Sequence, residues 1–355
     1  KCPLSARRSG SRKSKSVVVV AVVGNDLNAS QIQPVRQQDI LLTHEIMLPD
    51  LLAVRHLAHE FIQAEILSIV DWPELDLSIA AWVNRNHQSA YIDVWPALTF
   101  ATTGGDLQAA VPLVALWLLH IMAARVFDDI QDNEGLDNPW QHRGVEQALP
   151  TGIALLTLAN ICLTHLQTDV ETFKAVMQAL GRAGTLAAKA QSHPPRDWSA
   201  QTLEPYFEHL IATTGQVFAA GAWAGARLNT TDENMLDALY QFGLNRGMEM
   251  AIISDCADLQ PQNPSKLSDL TAGIYKLPVL YAVSLAEHPQ QARLMKLLGE
   301  NASLVGERLT EMIALLDEMG AVAWSLNLAV DFRNRATAAL RILPDEVNEA
   351  LAGYV

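Results

Sequence analysis

Three aspartates stand close together in the stretch from Phe127 to Asp132, directly after a long apolar run that begins near Ala109. If this run is helical, Asp128 and Asp129 lie four and three residues before Asp132, so the three carboxylates share one face of the last turn. Mg²⁺ prefers carboxylate oxygen and is usually held by one or two protein carboxylates, with waters and substrate phosphates completing its shell. The spacing therefore indicates a magnesium site, and the alternative is a helix that ends in solvated acid.

A second acidic pair, Asp255 and Asp258, repeats the three-residue spacing and again follows an apolar stretch. Two acidic helix ends, each below an apolar helix, predict a cavity with a metal-binding rim and a hydrophobic floor. Such a cavity suits a diphosphate ester that carries a hydrocarbon tail. We expect the metal ligands and catalytic residues to be Asp128, Asp129, Asp132, Asp255 and Asp258, with Mg²⁺ as the cofactor.

Further motifs accompany both clusters in a fixed order. They are Leu118-Leu119-His120 before the first cluster, Phe242-Gly243, Asn245 and Gly247 before the second, and then Asp269-Leu270, Gly273, Leu277 to Ala282 and Leu343 to Leu351. In this order and spacing the chain, from about residue 92 onward, resembles the trans-isoprenyl diphosphate synthases and the related terpene synthases. The resemblance implies a class I isoprenoid synthase fold, a helical bundle around a central cavity. It also implies an allylic isoprenyl diphosphate substrate and a homodimer.

Periodicity gives the same fold class independently of the resemblance. Apolar residues recur at helical spacing from Leu51 to Leu343, with no convincing strand alternation, and no break is long enough to be a domain linker. We predict an all-α chain with one large helical domain over residues 47–355. Residues 1–46 are basic and then Gln-rich without helical periodicity, and Met47 is followed at once by an amphipathic pattern. We expect residues 1–46 to be a disordered or non-native extension.

Charge and cysteine usage narrow the function classes. The formal net charge of −14 argues against a nucleic-acid partner. Three widely separated cysteines give neither a disulfide framework nor a zinc site, so a reducing cytoplasm is the expected location. The run from Ala109 to Phe127 is long enough to span a bilayer, but Pro112, His120 and Arg125 interrupt it. We predict a buried core helix there and no stable membrane insertion.

The sequence departs from the family where the family binds isopentenyl diphosphate. The residues from Ala90 to Pro96 have no base where the family has Gly-Lys-Arg, and those from Asn133 to Pro139 lack the pair of arginines that follows the first motif. A phosphate site without cations lacks its main source of affinity. Because the metal carboxylates remain, the pattern favours a terpene cyclase, which ionises one allylic diphosphate and lets its own double bonds capture the cation.

Two alternatives to the cyclase stay open. The first is a trans-isoprenyl diphosphate synthase that condenses isopentenyl diphosphate with an allylic diphosphate, with basic groups at positions that the motifs do not reveal. The second is a non-catalytic relative that binds isoprenoids. Ser254, in place of the first aspartate of the second motif, supports the second alternative.

Other residues are candidates for contact with the diphosphate and with the hydrocarbon tail of the substrate. The candidates for diphosphate contact are Arg125, Arg143, Lys266 and Lys276, and each could equally be an ordinary surface charge. Ala123 and Ala124 precede Asp128 by about one turn, where the resembling enzymes use bulky residues to block the substrate tail. Two alanines favour a substrate of twenty carbons or more. The other candidate pocket residues are His120, Thr214 and Met250.

Overall fold

The computed structural model describes residues 49–84, 90–132, 140, 144–194, 203–259, 274–285, 288–299 and 306–352. These residues form helices and contain no strand, so the all-α prediction is confirmed. The helices up to residue 194 are α1 (Pro49–Phe61), α2 (Pro73–Val83), α3 (Trp95–Thr102), α4 (Val111–Asp132), α5 (Val145–Leu163) and α6 (Val170–Gln191). Those from residue 203 onward are α7 (Glu204–Leu210), α8 (Gln216–Arg227), α9 (Glu233–Asp258), α10 (Leu277–Ser284), α11 (Gln291–Gly299), α12 (Glu307–Glu318), α13 (Ala321–Leu340) and α14 (Asp345–Ala352).

Short helical turns of other types extend several of these helices. A π-helical turn over Ile62–Ile66 and a 3₁₀ turn over Leu67–Ile69 continue α1, and a π-helical turn over Ile211–Gly215 joins α7 to α8. These junctions lie inside segments that periodicity predicts as single helices. The division into an extension over residues 1–46 and a domain over residues 47–355 stays a prediction, because residues 1–48 lie outside the described residues.

Capping residues fix where two of the long helices, α6 and α9, begin. The Asp169 side chain accepts hydrogen bonds from the backbone N–H groups of Glu171 and Thr172, and so caps α6. Asp232 caps α9 in the same way. Each cap satisfies donors that have no partner inside the helix. The starting points of α6 and α9 are therefore set by local sequence, and their last turns fall at the acidic clusters.

The centre of the bundle is α4, whose residues from Leu113 to Leu119 are fully or almost fully buried. It packs against α1, α3 and α5, while α9 packs between α8 and α13. Buried aromatic rings join the two groups of helices, because Trp95 stacks on Phe242 with their centroids 5.5 Å apart. The Trp95 indole N–H also donates to the Phe218 carbonyl oxygen over 2.8 Å.

Small residues allow α8 to approach its neighbours closely. A side chain at Gly225 would collide with the Pro96 carbonyl oxygen of α3 and with Thr99 Oγ1. Gly243 of α9 lies equally close to α8, since an added Cβ would be 2.6 Å from the Phe218 carbonyl oxygen. Glycine is therefore required at both contacts.

A buried ion cluster joins α9 to α13. Arg246 and Glu249 of α9 form an ion pair in which both side chains are essentially fully buried. Arg333 of α13 donates from Nε to Glu249 Oε1 over 2.7 Å. One carboxylate thus pairs with two guanidinium groups in the interior. Without it, both positive charges would lose their shared counter-ion.

Among the residues that the structure describes, two helical stretches are long and apolar enough to cross a membrane, judged by length and composition alone: Leu107–Gln131 and Val145–Leu163. A third would be counted if Glu307–Glu318 and Ala321–Leu340 formed one span bent by 58°. The first stretch is 67 % buried inside the protein, in agreement with the predicted core helix. The second is only 39 % buried. The expected lack of membrane insertion stays a prediction.

Candidate active site

The first acidic cluster lies at the end of α4, where one cation bridges two carboxylates. The Arg125 guanidinium pairs with Asp129 Oδ1 over 2.9 Å through Nε, and with Asp128 Oδ2 over 3.3 Å through Nη1. The side chain of Asp129 is only 1 % exposed, whereas that of Asp128 is 37 % exposed. The two neighbouring aspartates therefore differ in role: Asp129 points into the protein and Asp128 points toward solvent.

Asp129 is held from both sides. The Trp140 indole N–H donates to Asp129 Oδ2 over 3.0 Å, and both groups are buried. The Trp140 ring stacks on Trp82, with centroids 6.0 Å apart. Trp82 in turn donates to Asp93, which forms a buried ion pair with Arg55 over 2.9 Å. Asp129 thus belongs to a buried polar network that anchors the end of α4.

Asp128 has a partner on a different helix. Gln191, the last residue of α6, donates from Nε2 to Asp128 Oδ1 over 3.2 Å. His120 and Ala124 precede Asp128 at intervals of four residues and share its face of α4. Burial lowers the pKa of His120 to about 4, so its imidazole is neutral at pH 7. The open face of α4 therefore carries a carboxylate at its end and uncharged groups deeper down.

The second acidic cluster lies at the end of α9. Asp255 Oδ2 accepts two hydrogen bonds, from the Tyr206 hydroxyl of α7 over 2.6 Å and from the Leu277 backbone N–H over 3.1 Å. The Lys276 ammonium group lies 3.8 Å from Asp255 Oδ1 and 3.7 Å from Asp258 Oδ2. Each acidic cluster is thus bridged by a basic side chain, Arg125 in the first and Lys276 in the second.

The surroundings of Asp255 are largely dehydrated. Burial raises the pKa of the Asp255 carboxyl above its ordinary value, although Lys276 and the Tyr206 hydroxyl act in the opposite direction. Burial and then the Asp255 carboxylate raise the pKa of Tyr206 well above its ordinary value. The phenol therefore stays protonated and remains a hydrogen-bond donor to Asp255.

The end of α6 contacts the first cluster and lies near a histidine of α7. The side chain of Gln191 donates to Asp128. The backbone of the neighbouring Ala190 lies close to the His209 imidazole. Burial, and after it the charge of Lys276, lowers the pKa of His209. His209 therefore lies between the end of α6 and the electrostatic influence of Lys276, which bridges the second cluster.

A model of the polyprenyl synthetase family matches residues 92–316, which include both acidic clusters. The chain belongs to the polyprenyl synthetase family. A decaprenyl-diphosphate synthase of Dictyostelium discoideum is 28 % identical over 210 residues, which are 58 % of this chain and 43 % of that relative. The chain spans about half the length of the first curated relatives it matches.

Two solved structures have the same fold as this polyprenyl synthetase. A geranylgeranyl pyrophosphate synthetase from Pyrococcus horikoshii Ot3 aligns with a TM-score of 0.68 and 25 % identity, covering 86 % of this chain and 97 % of that one. A polyprenyl synthase from Caulobacter crescentus CB15, complexed with calcium and isoprenyl diphosphate, aligns with a TM-score of 0.70 and 23 % identity. That alignment covers 91 % of this chain and 98 % of that one. The isoprenoid synthase fold expected from the resemblance is confirmed.

The structure separates the two alanines proposed for the tail pocket of this polyprenyl synthetase. Ala124 is exposed on the face of α4 that carries Asp128, whereas Ala123 is fully buried in the core. Of the two, only Ala124 is accessible from outside the core, and the pocket roles of both residues stay predictions. Thr214 lies in the π-helical turn between α7 and α8, and Met250 is half-buried on α9.

Several sequence-predicted residues cannot be placed in this way. Arg143 and Lys266 lie outside the described residues, and Asp132 is the last residue of α4. Among the described side chains, no group of three or more His, Cys, Asp or Glu residues is arranged to hold a metal. The metal roles of Asp128, Asp129, Asp132, Asp255 and Asp258 stay predictions. Among the four of these whose side chains the structure describes, the partly exposed carboxylate of Asp128 fits a divalent cation best.

Three side chains that hold the acidic clusters were absent from the sequence-based site. They are Trp140, Gln191 and Tyr206, which contact Asp129, Asp128 and Asp255 respectively. None of them belongs to an acidic motif. Each lies between 11 and 63 positions from its partner in the chain. Only the folded arrangement reveals these contacts.

Proposed function

We propose that this polyprenyl synthetase is a Mg²⁺-dependent trans-isoprenyl diphosphate synthase, which joins an allylic diphosphate to isopentenyl diphosphate. The observation that carries the proposal is the family match over residues 92–316, which places both acidic clusters inside the matched region. The condensing synthases among its relatives favour this function over the cyclase that the sequence departures suggest.

The chemistry follows from the arrangement of charge. The allylic C–O bond breaks and the diphosphate leaves with the electron pair; the double bond of isopentenyl diphosphate then forms the new C–C bond, and a proton is lost. Bound Mg²⁺ would neutralise the leaving diphosphate. Asp128 is the carboxylate best placed to hold that ion, and Gln191 orients it over 3.2 Å. The apolar wall below excludes water from the cation.

The size of the substrate follows from one side chain. Ala124 is exposed on the face of α4 that carries Asp128, so no large side chain stands there. We infer that the tail extends past Ala124 and that the substrate has twenty carbons or more. Ala124→Phe should shorten the longest product, with little change in the rate for short allylic substrates.

A second candidate, the terpene cyclase, rests on one specific observation. The segment where the family has its Gly-Lys-Arg carries Asp93 instead, and this carboxylate is buried in an ion pair with Arg55. Arg55 is thereby committed to a structural contact, and an anionic side chain does not attract a second diphosphate.

A product assay decides between the candidates. The protein is incubated with Mg²⁺ and geranyl, farnesyl or geranylgeranyl diphosphate, each with and without isopentenyl diphosphate. Longer diphosphates formed only with isopentenyl diphosphate support the synthase. Hydrocarbon or alcohol formed from one allylic substrate alone supports the cyclase. No product, together with thermal stabilisation by the diphosphates, supports a non-catalytic isoprenoid-binding protein.

We also propose a homodimer that forms through the outer face of α5. Four large apolar side chains on that helix are exposed at intervals of four, four and three residues, namely Val145, Leu149, Ile153 and Leu156. Sedimentation velocity should give a dimer for the wild-type protein and a monomer for Ile153→Glu. Ile342→Glu, at an exposed apolar residue outside α5, is the control and should remain dimeric.

The cytoplasm is the proposed location of the protein. Two of the three cysteines, Cys162 and Cys256, are free thiols buried in the described part of the chain, as expected in a reducing compartment. Fractionation of cells that express the chain tests this proposal, which expects the protein in the soluble fraction without detergent.

A further inference from the structure

The second acidic cluster differs from a metal site in how its oxygen atoms are used. Asp255 Oδ2 already accepts two hydrogen bonds, from Tyr206 and from the Leu277 backbone N–H. Its other oxygen, Oδ1, faces the Lys276 ammonium group at 3.8 Å. A carboxylate in this position has little capacity left for a metal ion, whose ligand oxygens must turn toward it.

Lys276 occupies the place between the two carboxylates. Its Nζ atom lies at nearly equal distances from Asp255 Oδ1 and Asp258 Oδ2, which come from consecutive turns of α9. The exposed fraction of the side chain is 10 % for Asp255, 13 % for Asp258 and 21 % for Lys276. A divalent cation placed between the same oxygens would lie next to a positive charge in a poorly hydrated site, where repulsion is strong.

The lysine is fixed by its backbone as well as by its charge. Lys276 is the N-cap residue of α10, in an extended conformation, and Pro278 follows in the first turn. The N–H of the next residue, Leu277, donates to Asp255, the carboxylate that the ammonium group also faces. The backbone hydrogen bond of Leu277 anchors the chain at Asp255, and so places the start of the Lys276 side chain next to that carboxylate.

The residue before Asp255 supplies no carboxylate that could bind a metal ion in place of Asp255. Ser254 is exposed and neutral. Asp128 also has partners, Arg125 over 3.3 Å and Gln191 over 3.2 Å, but its side chain is 37 % exposed, so water and a metal ion can replace these partners at little cost. Metal binding is therefore expected at Asp128 and not at Asp255.

We propose that the Lys276 ammonium group takes the place of a metal ion in the second acidic cluster. All metal binding then depends on the first cluster. This exchange of a metal for an ammonium group does not rest on the proposed function.

The test counts bound Mn²⁺ by electron paramagnetic resonance, with and without inorganic diphosphate. Asp128→Asn should lose bound Mn²⁺, whereas Asp258→Asn should keep the wild-type number. Lys276→Gln should gain one bound Mn²⁺, because the two carboxylates then lack their cation. Lys276→Arg keeps the positive charge and should bind no additional Mn²⁺. Circular dichroism of each variant verifies folding.

Two results would overturn the proposal. One is the loss of a bound Mn²⁺ in Asp258→Asn with no gain in Lys276→Gln. The other is a wild-type protein that binds no Mn²⁺, because the first cluster would then hold no metal. Failure of the proposed function gives a different pattern: the Mn²⁺ numbers follow the expectation, but no longer prenyl diphosphate forms in the product assay.

Discussion

The Trp140 indole N–H donates a 3.0 Å hydrogen bond to Asp129 Oδ2, inside the protein and on the side of α4 that faces away from solvent. Together with the Arg125 pair it assigns both oxygens of Asp129 to structural partners. Asp128, one residue earlier, remains half-exposed. These two adjacent aspartates thus have different surroundings, and substitutions can separate their contributions.

Asp129→Asn should destabilise the fold and Asp128→Asn should not. In the first variant a buried amide faces the donors of Arg125 and Trp140, at a cost of roughly 3 kcal/mol in the free energy of unfolding. In the second variant the side chain is half-exposed, and a change below about 1 kcal/mol is expected. Urea unfolding measures both values. Equal destabilisation of the two variants would contradict the assignment.

Glu249→Gln should be among the most destabilising charge-neutralising substitutions in the chain. The change leaves the buried guanidinium groups of Arg246 and Arg333 without their shared carboxylate, with an expected cost of about 3 to 5 kcal/mol. Glu311→Gln is the matched control, since its pair with Arg293 is exposed and should contribute less than about 1 kcal/mol. Thermal unfolding of both variants tests the difference, and similar melting temperatures would argue against a buried cluster.

His120 should make the protein less stable in acid. Its pKa of about 4 in the fold lies below the ordinary value of 6.5, so between these values the unfolded chain binds a proton that the folded chain does not. The contribution of this residue is therefore complete above pH 6.5 and is lost as the pH falls to 4, by up to about 3 kcal/mol. His120→Asn should lose less stability than the wild type between pH 7.5 and pH 4.5 in urea unfolding. Parallel losses in the two proteins would show that His120 does not cause the effect.

Gly225→Ala and Gly184→Ala should have opposite effects. A Cβ at Gly225 collides with the backbone carbonyl of Pro96, which cannot move without displacing α3, so the variant should lose several kcal/mol or fail to fold. A Cβ at Gly184 meets no atom within 4 Å, and alanine should stabilise α6 by about 1 kcal/mol. Melting temperatures provide the comparison, and a well-folded Gly225→Ala variant would rule out the close contact of α3 with α8.

The sequence predicted the helices well because their signals are local. Apolar residues recur at helical spacing along α6 and α9, and the structure adds that Asp169 and Asp232 cap their first turns from the adjacent position. Cys256, between the two acids of the second motif, packs in the core. The π-helical turn over Ile211–Gly215 was missed, because it preserves the apolar pattern of a continuous helix.

The partners of the acidic residues could not be predicted in the same way. Tyr206 and Asp255 are 49 positions apart, and Gln191 and Asp128 are 63 apart. No periodicity joins such residues, since their contact depends on the packing angle of three helices. The position of Lys276 could not be predicted either. Its place in the sequence suggested a diphosphate contact, but only the fold placed its ammonium group between two carboxylates.

The length of α6 determines whether its C-terminal end reaches the site. The helix is capped at Asp169, its last residue Gln191 donates to Asp128, and the preceding Ala190 lies close to His209. Deleting one residue between the cap and Ala190 would rotate the end of the helix by about 100° and draw it back by about 1.5 Å. Both contacts would then be lost together, although no acidic residue had changed. The length of α6, 22 residues, is therefore as much a part of this site as the aspartates that it aligns.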